Sequence, residues 1–185
     1  MRVISGEYRG KKLLGQDLEK TRPTKDRTKE SIFAIIQEKI KGSIFLDLFA
    51  GTGAIGIEAL SNNAKKVYFN EINAEPLNIL KKNLKGIKTD YQIKQLDYAV
   101  AIKSYAESKL TFDIIYLDPP YGFRSIDKLL RKIKEYKLLA DDGIIIFETD
   151  KSDLSVLGYL TVNKKKYGKS YVYFIKNKSV KQDNI

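Results

Sequence analysis

The stretch IFLDLFAGTGAIG, residues 44–56, restricts the fold more than any other part of the chain. A nearly unbroken apolar run stops at a glycine turn, and IGIEALSNN then reads as a helix. A short apolar run of this kind marks a strand buried on both faces. The unit repeats. KVYFNEI (66–72) precedes a helix, AEPLNILKKNLKG, with Asn73 at its cap and Gly86 at its end. YQIKQLD (91–97) precedes YAVAIKSYAESK, FDIIYL (112–117) precedes SIDKLLRKIKEYK, and GIIIFET (143–149) is the fifth strand. YLTVNKKKYGKSYVYFIKN then gives two strands joined at Tyr167–Lys169 with no helix between them. The expected fold is α/β, a doubly wound, mostly parallel seven-stranded sheet with an antiparallel edge strand. Its ligands belong at the carboxyl ends of the strands.

Ahead of this pattern, the first 14 residues predict a hairpin around Gly6 and Gly10. A helix over about Asp26 to Lys41 follows, capped by Thr24 or Asp26. Residues 1–42 therefore form an amino-terminal hairpin-and-helix extension, and 43–185 the main domain. The chain has no cysteine and no histidine. That removes disulfides, thiol nucleophiles, Ser-His-Asp chemistry and imidazole-held zinc. No metal is expected. The opening MRVISGEYRG has no apolar core of a signal peptide and no run reaches membrane-span length, so the expectation is a cytoplasmic protein. A net charge of +11 points to a nucleic-acid partner, with biased lysine usage as the plainer explanation. No feature demands more than a monomer.

Gly51, Gly53 and Gly56 form G-x-G-x-x-G between a strand and a helix, the context in which the pattern signals an adenosine cofactor. Glu71 closes the second strand at the spacing of a ribose-binding carboxylate. A nicotinamide dinucleotide and S-adenosylmethionine both fit this loop. Asp47, just before the glycines, is awkward beside a pyrophosphate but suits the ammonium or sulfonium of S-adenosylmethionine. Asp97 closes the third strand, where it either accepts an adenine amino group, with Tyr98 beside the ring, or caps the next helix.

The fourth strand ends in YLDPPYGF, residues 116–123. Prolines end a strand, but a terminator needs neither the acid before them nor the aromatic after them. An exocyclic amine on a base is a poor nucleophile because its lone pair is delocalised into the ring. Acceptors on its two hydrogens, the Asp118 carboxylate and the Pro119 carbonyl, would draw the nitrogen toward tetrahedral geometry. The carboxylate would also stabilise the positive charge that develops there. Pro120 stiffens the loop, and Tyr121 offers a stacking face for a base that has been extruded or is single-stranded.

D-P-P-Y after a strand, with F-A-G-T-G upstream, resembles the S-adenosylmethionine-dependent amino-group methyltransferases, which have a Rossmann-like class I fold. RVISGEYRGKKL, RPTKDRTKESIF, LDLFAGTGAIGIEALS and the closing YGKSYVYFI are together similar to the bacterial 16S ribosomal RNA guanine-N2 methyltransferase family. Ser5 and Asn70 depart from that family's pattern. The resemblance implies methyl transfer from S-adenosylmethionine to the N2 amine of a guanine in the small ribosomal subunit. It maps Asp118, Pro119, Pro120 and Tyr121 onto catalysis, and Asp47, Phe49, Gly51, Thr52, Gly53, Glu71, Ile72, Asp97 and Tyr98 onto the cofactor. It maps Arg9, Arg22, Thr24 and Arg27, with Tyr121, onto the substrate side. The competing readings are an adenine-N6 methyltransferase acting on DNA or RNA, a nicotinamide-dependent oxidoreductase and a catalytically silent RNA-binding module.

Overall fold

A computed structural model describes residues 1–15, 22–154 and 158–178, without the side chains of 22–25. Seven strands form one sheet: β1 (Ile44–Asp47), β2 (Lys66–Asn70), β3 (Asp90–Lys94), β4 (Phe112–Leu117), β5 (Leu139–Thr149), β6 (Tyr159–Tyr167) and β7 (Ser170–Asn177). Their order is β3-β2-β1-β4-β5-β7-β6. The first five are mutually parallel, while β7 runs antiparallel between β5 and β6. The closing hairpin is thus inserted, and β6 is the edge. The order reverses between β1 and β4, which opens a crevice at their carboxyl ends.

Among the described residues six helices cover the sheet: α1 (Arg22–Ile35), α2 (Gln37–Ile40), α3 (Ala54–Ser61), α4 (Ala74–Asn83), α5 (Tyr98–Glu107) and α6 (Ile126–Glu135). Successive strand residues point to opposite faces, and the core divides accordingly. Phe45, Ile114, Tyr116 and Ile146 pack toward α1–α4, whereas Leu46, Ile115, Leu117 and Ile145 pack toward α5 and α6. Helix α6 buries Ile126, Leu129, Leu130 and Ile133, the spacing of a single apolar stripe.

Several boundaries differ from those read in the sequence. β1 stops at Asp47 rather than residue 50, and β2 and β3 also end early, because each chain turns into a ligand-facing loop. β5 begins four residues earlier than expected, at Leu139, across an irregular register with β4. Helix α1 is already formed at Arg22, so Thr24 and Asp26 lie inside it instead of capping it. Pro23 is tolerated there because the first helical turn needs no N–H donor.

The amino-terminal hairpin has a single bridge, Arg2 to Lys12. It is held mainly by α3. The Glu58 carboxylate accepts the Ile4 N–H at 2.9 Å, the Ser5 N–H at 2.8 Å and the Ser5 hydroxyl at 2.9 Å. Ser5, a departure from the family pattern, therefore adds a donor to this anchor. Lys29 of α1 places Nζ 2.9 Å from Glu58 Oε2 and donates to the Arg2 carbonyl at 2.6 Å. Gly6 has φ +77°, and a Cβ there would lie 1.8 Å from the Ser61 carbonyl oxygen, so only glycine permits this approach.

Candidate active site

The glycine loop crosses the carboxyl end of β1, and its three glycines serve different needs. Gly51, at φ +53°, faces open space. A Cβ on Gly53 would meet Leu80, and one on Gly56 would lie 2.1 Å from the Phe69 ring. Gly51 alone therefore leaves room for a ligand, while the other two allow α3 to approach α4 and β2. Glu71, buried at the end of β2, accepts the Gly51 N–H at 2.8 Å through Oε2. Its Oε1 accepts the Asn73 N–H at 2.7 Å. Asn73 stands at the start of α4 as expected, but its own side chain makes no capping bond. The Asn73 side-chain amide also donates to Oε1, at 3.1 Å. A carboxylate has about four acceptor sites, so Glu71 retains capacity for one further donor, on Oε2. Asn83 ties the loop down from below, donating to the Thr52 carbonyl at 2.9 Å and to the Leu14 carbonyl at 2.9 Å.

Asp47 is buried and accepts the Gly56 N–H at 3.0 Å. Burial pushes its carboxyl up to about 7; the Gly56 hydrogen bond works against this, and the nearby Asp118 and Glu71 add to the rise. Asn70, the second departure, donates through Nδ2 to the Leu48 carbonyl at 3.2 Å and the Leu96 carbonyl at 3.0 Å. It thereby ties together the ends of β1, β2 and β3, and its buried Oδ1 has no partner among the described residues.

Asp97 is exposed and accepts the Ala99 N–H at 2.8 Å, the N-cap of α5. Tyr98 joins Phe49 and Phe123 in a three-ring cluster with centroids 5.2–5.7 Å apart. That cluster brings the loops after β1, β3 and β4 to one place. In the sequence Phe123 reads only as the apolar end of a loop, and its part in the cluster emerges from the fold. Ile72 is more than half exposed beside Glu71.

Beyond β4, Asp118 is exposed, Pro119 half-buried and Pro120 exposed. The Phe123 N–H closes a turn on the Pro120 carbonyl at 3.1 Å, with Gly122 at φ +80°. A turn of this kind needs positive φ at its third residue, which glycine supplies. Its second residue, Tyr121, is 92% exposed. The loop forms one wall of a cleft of about 790 Å³ whose other walls are the end of β5, the β6–β7 turn and Thr28 of α1. Tyr167, at that turn, hydrogen-bonds through its hydroxyl to the Ser31 hydroxyl of α1. Inside the cleft, Glu148 accepts the Tyr116 hydroxyl at 2.8 Å.

The substrate-side arginines are less concentrated. Arg9 and Arg27 are exposed, and neither lines the cleft. The side chains of Arg22 and Thr24 lie outside the described residues. Thr28, one helical turn on from Thr24, is the α1 residue that reaches the cleft among those whose side chains are described. Nothing in the sequence points to Glu148, since β5 reads there as a buried strand.

The family model described as "Conserved hypothetical protein 95" matches residues 1–176. The "Ribosomal RNA small subunit methyltransferase D" of Haemophilus influenzae is 36% identical over 153 residues, covering 82% of this chain and 79% of that protein. The chain belongs to this family. The solved structure titled "Putative methyltransferase yhhF from Escherichia coli" superposes with a TM-score of 0.83 at 25% identity, over 97% of this chain and 98% of that one. SMU.776, solved as a complex with SAH, shares the fold at a TM-score of 0.63 and 18% identity, over 78% of this chain and 49% of that one. Like other members of its family, the chain is an RNA methyltransferase with the class I fold.

Proposed function

We propose that the protein transfers a methyl group from S-adenosylmethionine to the exocyclic N2 amine of a guanine in 16S rRNA of the small ribosomal subunit. The observation that carries this reading is the position of the D-P-P-Y turn. It presents Asp118 at the mouth of a cleft wide enough for a base, on the strand adjoining the one that bears Asp47 and the glycine loop. The residues present fit the cofactor. A buried carboxylate at Asp47 suits a cation and opposes a pyrophosphate. Glu71 has acceptor capacity left for one ribose hydroxyl, Gly51 leaves open space, and the Phe49–Tyr98–Phe123 rings offer an aromatic surface for adenine.

When bound, S-adenosylmethionine supplies an electrophilic methyl group on sulfur and departs as a neutral thioether. The chain's own residues prepare the acceptor. Tyr121 stacks on the base, and Asp118 and the Pro119 carbonyl accept the two amine hydrogens and aim the lone pair. The nitrogen gains a carbon bond and loses one proton, which Asp118 holds and, being exposed, passes to water. On this reading the protein is a cytoplasmic monomer that needs no metal. The hairpin and helix of residues 1–42 then form the side turned toward RNA.

The test is transfer of labelled methyl to small subunits lacking native modification, followed by nucleoside analysis. The expected product is N2-methylguanosine, falling by at least about a hundredfold in Asp118→Ala while calorimetric cofactor binding persists. Label on adenine N6 would overturn the base assignment, and undiminished transfer by the variant would overturn the role of Asp118.

A further inference from the structure

We infer that Glu148 selects guanine by accepting the N1–H of its Watson–Crick edge, with Tyr116 fixing the carboxylate for that contact. The inference rests on the guanine-N2 reading and names the residue that enforces it. Asp118 and Glu148 each lie one residue beyond the last registered pair of β4 and β5, Leu117 with Phe147. Tyr116 and Ile146, two positions earlier, are a registered pair on the α1 side of the sheet. Period-two alternation therefore puts Asp118 and Glu148 beside each other on that same side. Both line the cleft.

Tyr116 is buried and its hydroxyl donates to Glu148 Oε2 at 2.8 Å. Burial, and after it the neighbouring Glu148 carboxylate, hold that hydroxyl well above the usual phenol range, so it remains a donor. Oε1 makes no hydrogen bond among the described residues. The carboxylate is thus oriented on one oxygen, with acceptor capacity left on the other.

The chemistry of the bases decides what such an acceptor reads. In guanine the N2 amine lies between two ring nitrogens, and the one on the Watson–Crick edge, N1, carries a hydrogen. In adenine and cytosine the ring nitrogen beside the amine carries a lone pair. With Asp118 engaging the amine, a carboxylate at the neighbouring strand position accepts N1–H of guanine and repels the ring nitrogen of the other two. D-P-P-Y activates an amine of any base, and Glu148 supplies the discrimination.

The experiment uses reconstituted small subunits carrying either guanine or 2,6-diaminopurine at the modified position. Diaminopurine keeps the N2 amine but presents a lone pair at N1. Wild-type protein is expected to prefer guanine by about 10–100-fold in kcat/KM. Glu148→Gln keeps an acceptor for Tyr116 and adds a donor toward N1, so the preference is expected to fall about tenfold or more. Cofactor affinity stays unchanged. A residue that merely satisfies the Tyr116 hydroxyl would leave the ratio as it is, and an unchanged ratio overturns the inference. Tyr116→Phe gives a second reading should Glu148→Gln lose cofactor binding. It frees the carboxylate and is expected to reduce the preference about fivefold, with no reduction again overturning the inference. Failure of the guanine-N2 reading shows separately, as wild-type label somewhere other than guanine N2.

Discussion

At the scale of single residues, Asp47 would couple the proposed cofactor site to pH. Its carboxyl is held near 7 in the folded chain against 3.8 ordinarily. It therefore costs no stability below about pH 4, costs progressively more as pH rises toward 7, and carries its full penalty above that. Asp47→Asn is expected to melt higher than wild type at pH 8, with the difference shrinking toward pH 4, as read by thermal unfolding. Cofactor binding has the opposite sign, because a cation favours the ionised carboxylate. Affinity is expected to be about tenfold weaker at pH 6 than at pH 8, with proton release visible by calorimetry in buffers of different ionisation enthalpy. A pH-independent affinity would place the cationic part of the ligand elsewhere. As candidate site residues, Asp47, Glu71 and Asp118 stood out in the sequence because each lies beside glycines, a strand end or prolines. Glu148 could not, because its contribution depends on which strand lies next to β4. That neighbour is β5, which starts at Leu139, a whole helix after β4 ends at Leu117.

At the scale of elements, the alternation of buried strands and helices was legible because parallel strands covered on both faces leave nearly continuous apolar runs. The start of α1 was not, since Thr24 and Asp26 look like caps wherever they occur and propensity cannot say that the helix starts ahead of both, at Arg22. What fixes α1 is tertiary. Lys29 and Glu58 form an ion pair with side chains only 4% and 1% exposed. Lys29→Met would leave Glu58 buried with backbone donors but no cation. The expected loss is about 3–5 kcal/mol in urea unfolding, accompanied by weaker methyl transfer because Thr28 moves with the helix. A loss below about 1 kcal/mol would mean that α1 is held by its apolar face alone.

At the scale of the whole molecule, a charge of +11 is expected to act on association with RNA rather than on chemistry. Lys164, Lys165 and Lys166 are exposed on β6, the edge strand, where lysines also discourage pairing with other chains. Lys164 additionally lies over the rings of Tyr171 and Tyr173. Replacing Lys165 and Lys166 with alanine is expected to weaken RNA binding without changing which base is modified. It should also reduce the slope of log K against log salt by about one for each phosphate no longer neutralised, as measured by fluorescence anisotropy. An unchanged slope would exclude this edge from the RNA interface. The hydrogen bond between Tyr167 and Ser31 joins residues 136 positions apart. During synthesis, β1 through β4, with the glycine loop, are made before β6 and β7. On the proposed function, a nascent chain can therefore assemble its glycine loop while the acceptor cleft still lacks a wall, and methyl transfer is expected only once the last hairpin closes on the first helix.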